Sequence, residues 1–109
     1  MFKKSWWAIG LVPAFMLFWY VFVGWWSQPD KSFADRAMKA YENSHYSEAY
    51  DLFHKAADNG NVNSEYYLGV MYENGYGVPK DFSTAIQWYK KAALHEHILA
   101  KQALGRLLR

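Results

Sequence analysis

Two kinds of hydrophobic pattern divide the chain. From Trp6 to Trp26 no charged residue occurs, a run of about 21 positions, long enough as a helix to cross a ~30 Å hydrocarbon core. Beyond Asp30 the apolar residues return at helical spacing, with charged residues between them. Leu68, Met71 and Tyr72 share one helical face, with Gly69 beside them where a neighbouring helix can approach closely. Gly75 to Pro79 (GYGVP) breaks that helix, because glycine takes backbone angles other residues avoid and proline cannot continue a helix. Asp81 is placed to cap the next helix, whose stripe is Ala85, Trp88, Tyr89, Ala92 and Ala93.

Residues 33–43 and 46–58 read as an earlier helical pair, and the second of these carries Ala49, Leu52, Phe53, Ala56 and Ala57. Shifted by 36 residues, those five fall on Ala85, Trp88, Tyr89, Ala92 and Ala93, and Leu68-Gly69 falls on Leu104-Gly105. The chain therefore contains an internal repeat. The first turn departs from it. Between Tyr41 and Ala49 it is shorter than between Tyr72 and Ala85, so either Arg36 or Ala37 stands where a leucine is expected. Gly60 in Asn59-Gly60-Asn61 is expected to end a helix in the left-handed region, whereas the matching place later in the chain holds Glu96. A fifth helix, about 98–108, carries Ile98, Leu99, Leu104, Leu107 and Leu108 with Lys101, Arg106 and Arg109. It is expected to cover the open end of the array, and its outer apolar and basic side suits anionic lipid or a partner.

The residues that carry a family resemblance are LGVMY at 68–72, GYGV at 75–78, Asp81, Ala85, WY at 88–89 and KAA at 91–93. At this spacing they closely resemble a Sel1-like repeat, a relative of the tetratricopeptide repeat. The resemblance implies a right-handed superhelix of antiparallel helix pairs that binds other proteins and carries no catalytic residues. The expected fold is all-α: a single N-terminal transmembrane helix followed by a short α-solenoid of about two and a half helix-turn-helix repeats. The expected segments are a basic tail at 1–5, the transmembrane helix at 6–26, a linker at 27–32 and the repeat domain at 33–109.

Composition sharpens the first segment. Five of the six tryptophans precede residue 27, paired at both ends of the uncharged run as interfacial belts are. A buried core helix is a poor alternative in so small a protein. A cleaved signal peptide is the stronger rival, since Lys3 and Lys4 form a proper basic start. The run is longer than a signal core, however, and ends in two tryptophans instead of small residues. Lys3 and Lys4 favour an inside N-terminus, although Lys31, Arg36 and Lys39 follow the other end. The expectation is an uncleaved anchor in a bacterial inner membrane, with the N-terminus cytoplasmic and the repeat domain periplasmic.

The remaining composition mainly excludes. Residues 30–109 hold ten basic and ten acidic side chains, so nothing electrostatic points to nucleic acid. The chain has no cysteine, hence no disulfide framework, thiol nucleophile or zinc knuckle. His95-Glu96-His97 places its histidines two apart, on different sides of a helix, which is not metal-pair spacing. The GYGV glycines lack the Gly-Lys-Ser/Thr ending of a phosphate loop. No cofactor and no enzyme activity are expected.

What remains is a binding surface. By resemblance, Asn63, Tyr66, Val70 and Glu73 would line the concave face, with Tyr66 and Val70 as exposed apolar anchors for a peptide or helix. Their spacing forms one stripe, rotated off the packing stripe of Leu68 and Tyr72. Three functional readings follow: a membrane-anchored adaptor for a protein partner, an immunity protein neutralising a periplasmic effector, or a small structural subunit of a membrane complex. Self-association is open under each.

Overall fold

The computed structural model describes residues 18–22 and 31–109. Within the second stretch five helices follow in order: α1 (Lys31–Glu42), α2 (Tyr46–Asp58), α3 (Val62–Asn74), α4 (Phe82–Leu94) and α5 (Ile98–Leu107). Each helix packs on its chain neighbours, α1 on α2, α2 on α3, α3 on α4 and α4 on α5. This is an all-α array in which no single core is enclosed.

Two apolar clusters run along it. The first joins Ala37 and Ala40 of α1, Ala49, Leu52 and Phe53 of α2, and Leu68 and Met71 of α3. The second joins Ala85, Tyr89 and Ala92 of α4 to Ala100 and Ala103 of α5, with Val62, Tyr66, Val70 and Tyr72 of α3 packed against it. The central helix α3 is therefore apolar on two sides, as a helix between neighbours must be. Ala37, fully buried, occupies the position for which Arg36 was the competitor; the shorter first turn shifts the register, and a charged side chain there would have no water.

Local chemistry sets the helix ends. Asp81 accepts hydrogen bonds from the Thr84 amide at 3.2 Å and the Thr84 hydroxyl at 2.7 Å. Asn61 caps α3 in the same way, accepting from the Ser64 amide at 2.9 Å. Gly60 takes φ +87°, as expected, and Glu96 takes φ +62° in the matching place without being glycine. The turn between α3 and α4 does more than end a helix. Tyr76 stacks on Tyr46 with ring centroids 4.6 Å apart, and Gly77 lies against the Tyr46 backbone. The turn thereby bolts the α3–α4 pair onto the start of α2.

Gly69 is the close-approach site the stripe called for. A β-carbon there would stand 2.6 Å from the ring of Tyr89, so the ring lies flat on the helix backbone.

The predicted span at 6–26 lies outside the described residues, apart from 18–22. Those five are helical, and Phe18, Trp19, Tyr20, Val21 and Phe22 are all exposed. Among the described residues no helix is long and apolar enough to cross a membrane.

Candidate functional site

Helices α1, α3 and the start of α5 enclose one groove of about 430 Å³. Ala34, Asp35 and Met38 of α1 form one wall. Asn63, Tyr66 and Tyr67 form the floor, and His97 with Leu99 form the far wall. These positions come from alternate helices, which is why they meet. In an array where α2 and α4 pack behind, α1, α3 and α5 present their free faces on one side.

The groove is held by side chains far apart in sequence. His97 caps α5 by accepting from the Ala100 amide at its Nδ1, 3.2 Å away. That leaves the proton on Nε2, which donates to Asn63 Oδ1 at 2.8 Å. The imidazole also stacks on Tyr66, with centroids 4.8 Å apart. On the other side Tyr67 stacks on Phe53 at 5.1 Å and abuts Tyr41 at 5.4 Å. The floor is thus two tyrosines fixed by aromatic neighbours, flanked by an exposed carboxylate and an exposed amide.

Of the four residues expected on this face, Asn63 and Tyr66 line the groove. Val70 and Glu73 lie further along α3 and are drawn into contact with α4 and α5. Tyr66 and Val70 are half-buried against the second cluster instead of exposed. The reason is α5, which lies back over the stripe and covers it. Glu73 accepts from the Tyr89 phenol at 2.6 Å and pairs with Arg106 at 2.6 Å. The Arg106 bond holds the Glu73 carboxyl below the usual carboxylate range. Burial, with the Glu73 bond, pushes the Tyr89 phenol well above its ordinary value. At the far side of α3, the Tyr50 phenol, bonded to that of Tyr72, is pushed up to about 12.

Asp35, Met38, Tyr67, His97 and Leu99 escaped sequence reasoning. For Asp35 the available signal was the repeat itself: with Ala37 aligned on Leu68, Asp35 falls on Tyr66, whereas Met38 falls on Gly69 and has no such signal. His97 is also more than a solvated helix end, because it is half-buried and serves as cap, donor and stacking partner at once. A second surprise is Glu65, buried to 2% exposure between α3 and the end of α4. Its carboxylate faces Lys91 at 3.8 Å and His95 at 3.5 Å. Among the described residues no three acidic or histidine side chains form a group that could hold a metal ion.

The repeats have counterparts elsewhere. A Sel1 repeat family model matches residues 40–61 and 62–97, together more than half of the chain. The putative beta-lactamase HcpE of Helicobacter pylori (strain ATCC 700392 / 26695) is 38% identical over 66 residues, 61% of this chain and 19% of its own length. The chitin synthase regulator SKT5 of Malassezia restricta is 39% identical over 60 residues, 55% of this chain and 4% of its own. The DAP3-binding cell death enhancer 1 of Rattus norvegicus is 40% identical over 59 residues, 54% of this chain and 12% of its own. The chain thus spans less than a fifth of the length of these relatives. The crystal structure of a Sel1 repeat protein from Oxalobacter formigenes superposes with a TM-score of 0.62 at 29% identity, covering 78% of this chain and 38% of that one. Such repeats generally mediate protein–protein interaction. With its repeat spacing, helix pairs and family match in agreement, the chain belongs to the Sel1 repeat family.

Proposed function

We propose that this protein is a membrane-anchored adaptor without catalytic activity, which presents the groove of its Sel1 repeats to a protein partner at the cell envelope. The observation that carries this reading is the groove. It is preformed, floored by Tyr66 and Tyr67, and edged by Asp35 and Asn63. Fixed tyrosines offer apolar area at small entropic cost, and the edge groups give polar contacts to an extended peptide or a helix. Its volume suits a few side chains of a partner. Two relatives have names that state binding or regulation of another protein, which supports the same class of role. The uncharged run at 6–26, with the exposed apolar residues 18–22, supports an anchor. The leading Lys3 and Lys4 support a periplasmic groove. A tethered domain needs only modest affinity, because confinement raises the effective concentration of its partner.

Site-specific photocrosslinking in living cells tests the groove. A photoreactive residue replacing Asn63 or Leu99 should yield a discrete adduct with one protein. The same residue at Gln87 or Lys90, exposed on α4, should not. Equal adducts from both faces, or none from the groove, would remove the groove from the account.

A further inference from the structure

The outer face of α5 repeats a face that is covered elsewhere in the molecule. Shifting α3 by 36 residues lays Ser64, Tyr67, Leu68 and Met71 on Ala100, Ala103, Leu104 and Leu107. Structure agrees with that register. The first set packs α3 toward α2, and the second packs α5 toward α4. The other face of α3 is the row Val62, Glu65, Gly69 and Tyr72, which receives α4 with the Tyr89 ring seated on Gly69. Its counterpart on α5 is Ile98, Lys101, Gly105 and Leu108. Ile98 is 69% exposed and Leu108 is 59% exposed. A β-carbon at Gly105 would meet nothing within 4 Å.

The charges on this row are reversed. Where α3 has Glu65, facing Lys91 of the following helix, α5 has Lys101. Where α3 has Glu73, which takes the Tyr89 phenol, the register puts Arg109, just past the end of α5. A helix seated here needs a carboxylate where α4 has Lys91. The chain's own helices with the right apolar pattern, α2 and α4, carry Lys55 and Lys91 at that position. Like charges would then face each other, so a second copy of this chain is a poor occupant.

We propose that the Ile98–Lys101–Gly105–Leu108 face of α5 is a second docking site, for an acidic amphipathic helix of another protein that seats an aromatic ring on Gly105. The site is distinct from the α1–α3–α5 groove and does not depend on it. Glycine lets the ring lie on the helix backbone, as Tyr89 does on Gly69. Leu108, the C-cap residue one turn past Gly105, borders the ring, Ile98 two turns earlier extends the apolar face, and Lys101 selects the charge. Lys101 pairs with the exposed Glu96, a contact weak enough for an incoming carboxylate to take over.

The test uses the full chain in zwitterionic nanodiscs and two stapled, fluorescent peptides, which remove the cost of forming an isolated helix. One peptide spans residues 81–95 of this chain unchanged; the other carries K91E. Anisotropy should show the K91E peptide binding about tenfold more tightly, the swing expected for turning one exposed repulsion into an attraction. In the Lys101→Glu chain the order of the two peptides should reverse. Gly105→Leu, which fills the ring's seat, and Leu108→Asp should each weaken the K91E peptide at least about tenfold. Equal binding of both peptides, no binding up to about 1 mM, or no reversal with Lys101→Glu would overturn the proposal. So would sedimentation of the chain on anionic vesicles through Lys101 and Arg109 without any peptide preference, which would give this face to lipid.

Discussion

Gly69 and Gly105 occupy the same repeat position, yet alanine should act on them in opposite directions. In the middle of a helix alanine is favoured over glycine by about 1 kcal/mol. At Gly105 that gain stands alone, since a β-carbon there meets nothing within 4 Å. At Gly69 the new methyl would lie 2.6 Å from two ring carbons of Tyr89 and 3.1 Å from a third. The ring cannot swing away cheaply. It is 1% exposed, and its phenol is tied to Glu73 at 2.6 Å, which in turn holds Arg106. Overpacking of this kind costs about 1–3 kcal/mol. Pulling the phenol off a charged acceptor adds about 1 kcal/mol or more. Gly69→Ala should therefore be destabilising by about 1–3 kcal/mol net, and Gly105→Ala stabilising by about 0.5–1 kcal/mol. In a domain of this size, thermal unfolding followed by far-ultraviolet circular dichroism should show Tm falling by about 5–20 °C for the first and rising by about 2–6 °C for the second. Shifts of the same sign would refute the reasoning, because the repeat position and not its neighbour would then decide the outcome.

Other predictions follow from the same contacts. Tyr89→Phe keeps the ring on Gly69 but removes the phenol from Glu73, and should lower stability by about 1–2 kcal/mol in urea unfolding. Glu73 has its carboxyl pKa depressed in the folded protein by Arg106. Its contribution is therefore complete above the unfolded carboxylate value of ~4.3 and is lost as pH falls through the lower folded value. Glu73→Gln should be less stable at neutral pH and show a shallower acid limb in a Tm-against-pH series, so that the two proteins converge in acid. Asn61→Ala removes the cap of α3 and should lower stability by about 1 kcal/mol, while Asn61→Asp should largely preserve it; equal losses would mean the cap bond contributes nothing.

Much of this fold is legible from residue spacing. The α2 and α4 stripes share one 36-residue offset, so the pairs they form can be aligned before any coordinates exist. The Asp81 cap, the left-handed Gly60 and the close approach at Gly69 each follow from what one residue type can do. The site is less legible. Spacing along α3 shows that Tyr66 and Val70 share a stripe, but not what lies over it. That is decided by α5, through Asn63–His97 and Glu73–Arg106, pairs 34 and 33 residues apart. Glu65 misleads for a similar reason: a carboxylate among polar neighbours reads as surface until α4 closes on it. The register of α1 depends on a turn shorter than its counterpart, and only the burial of Ala37 decides it.

The functional account turns on an anchor at 6–26 that holds the repeat groove on the far side of a membrane. Two reporters fused in turn after Arg109, one active only in the periplasm and one only in the cytoplasm, measure this directly. The account predicts periplasmic activity from a full-length, membrane-bound product. Cytoplasmic activity, or a shortened soluble product, would contradict it, and the partner would then have to be sought on the other side of the membrane or free of it.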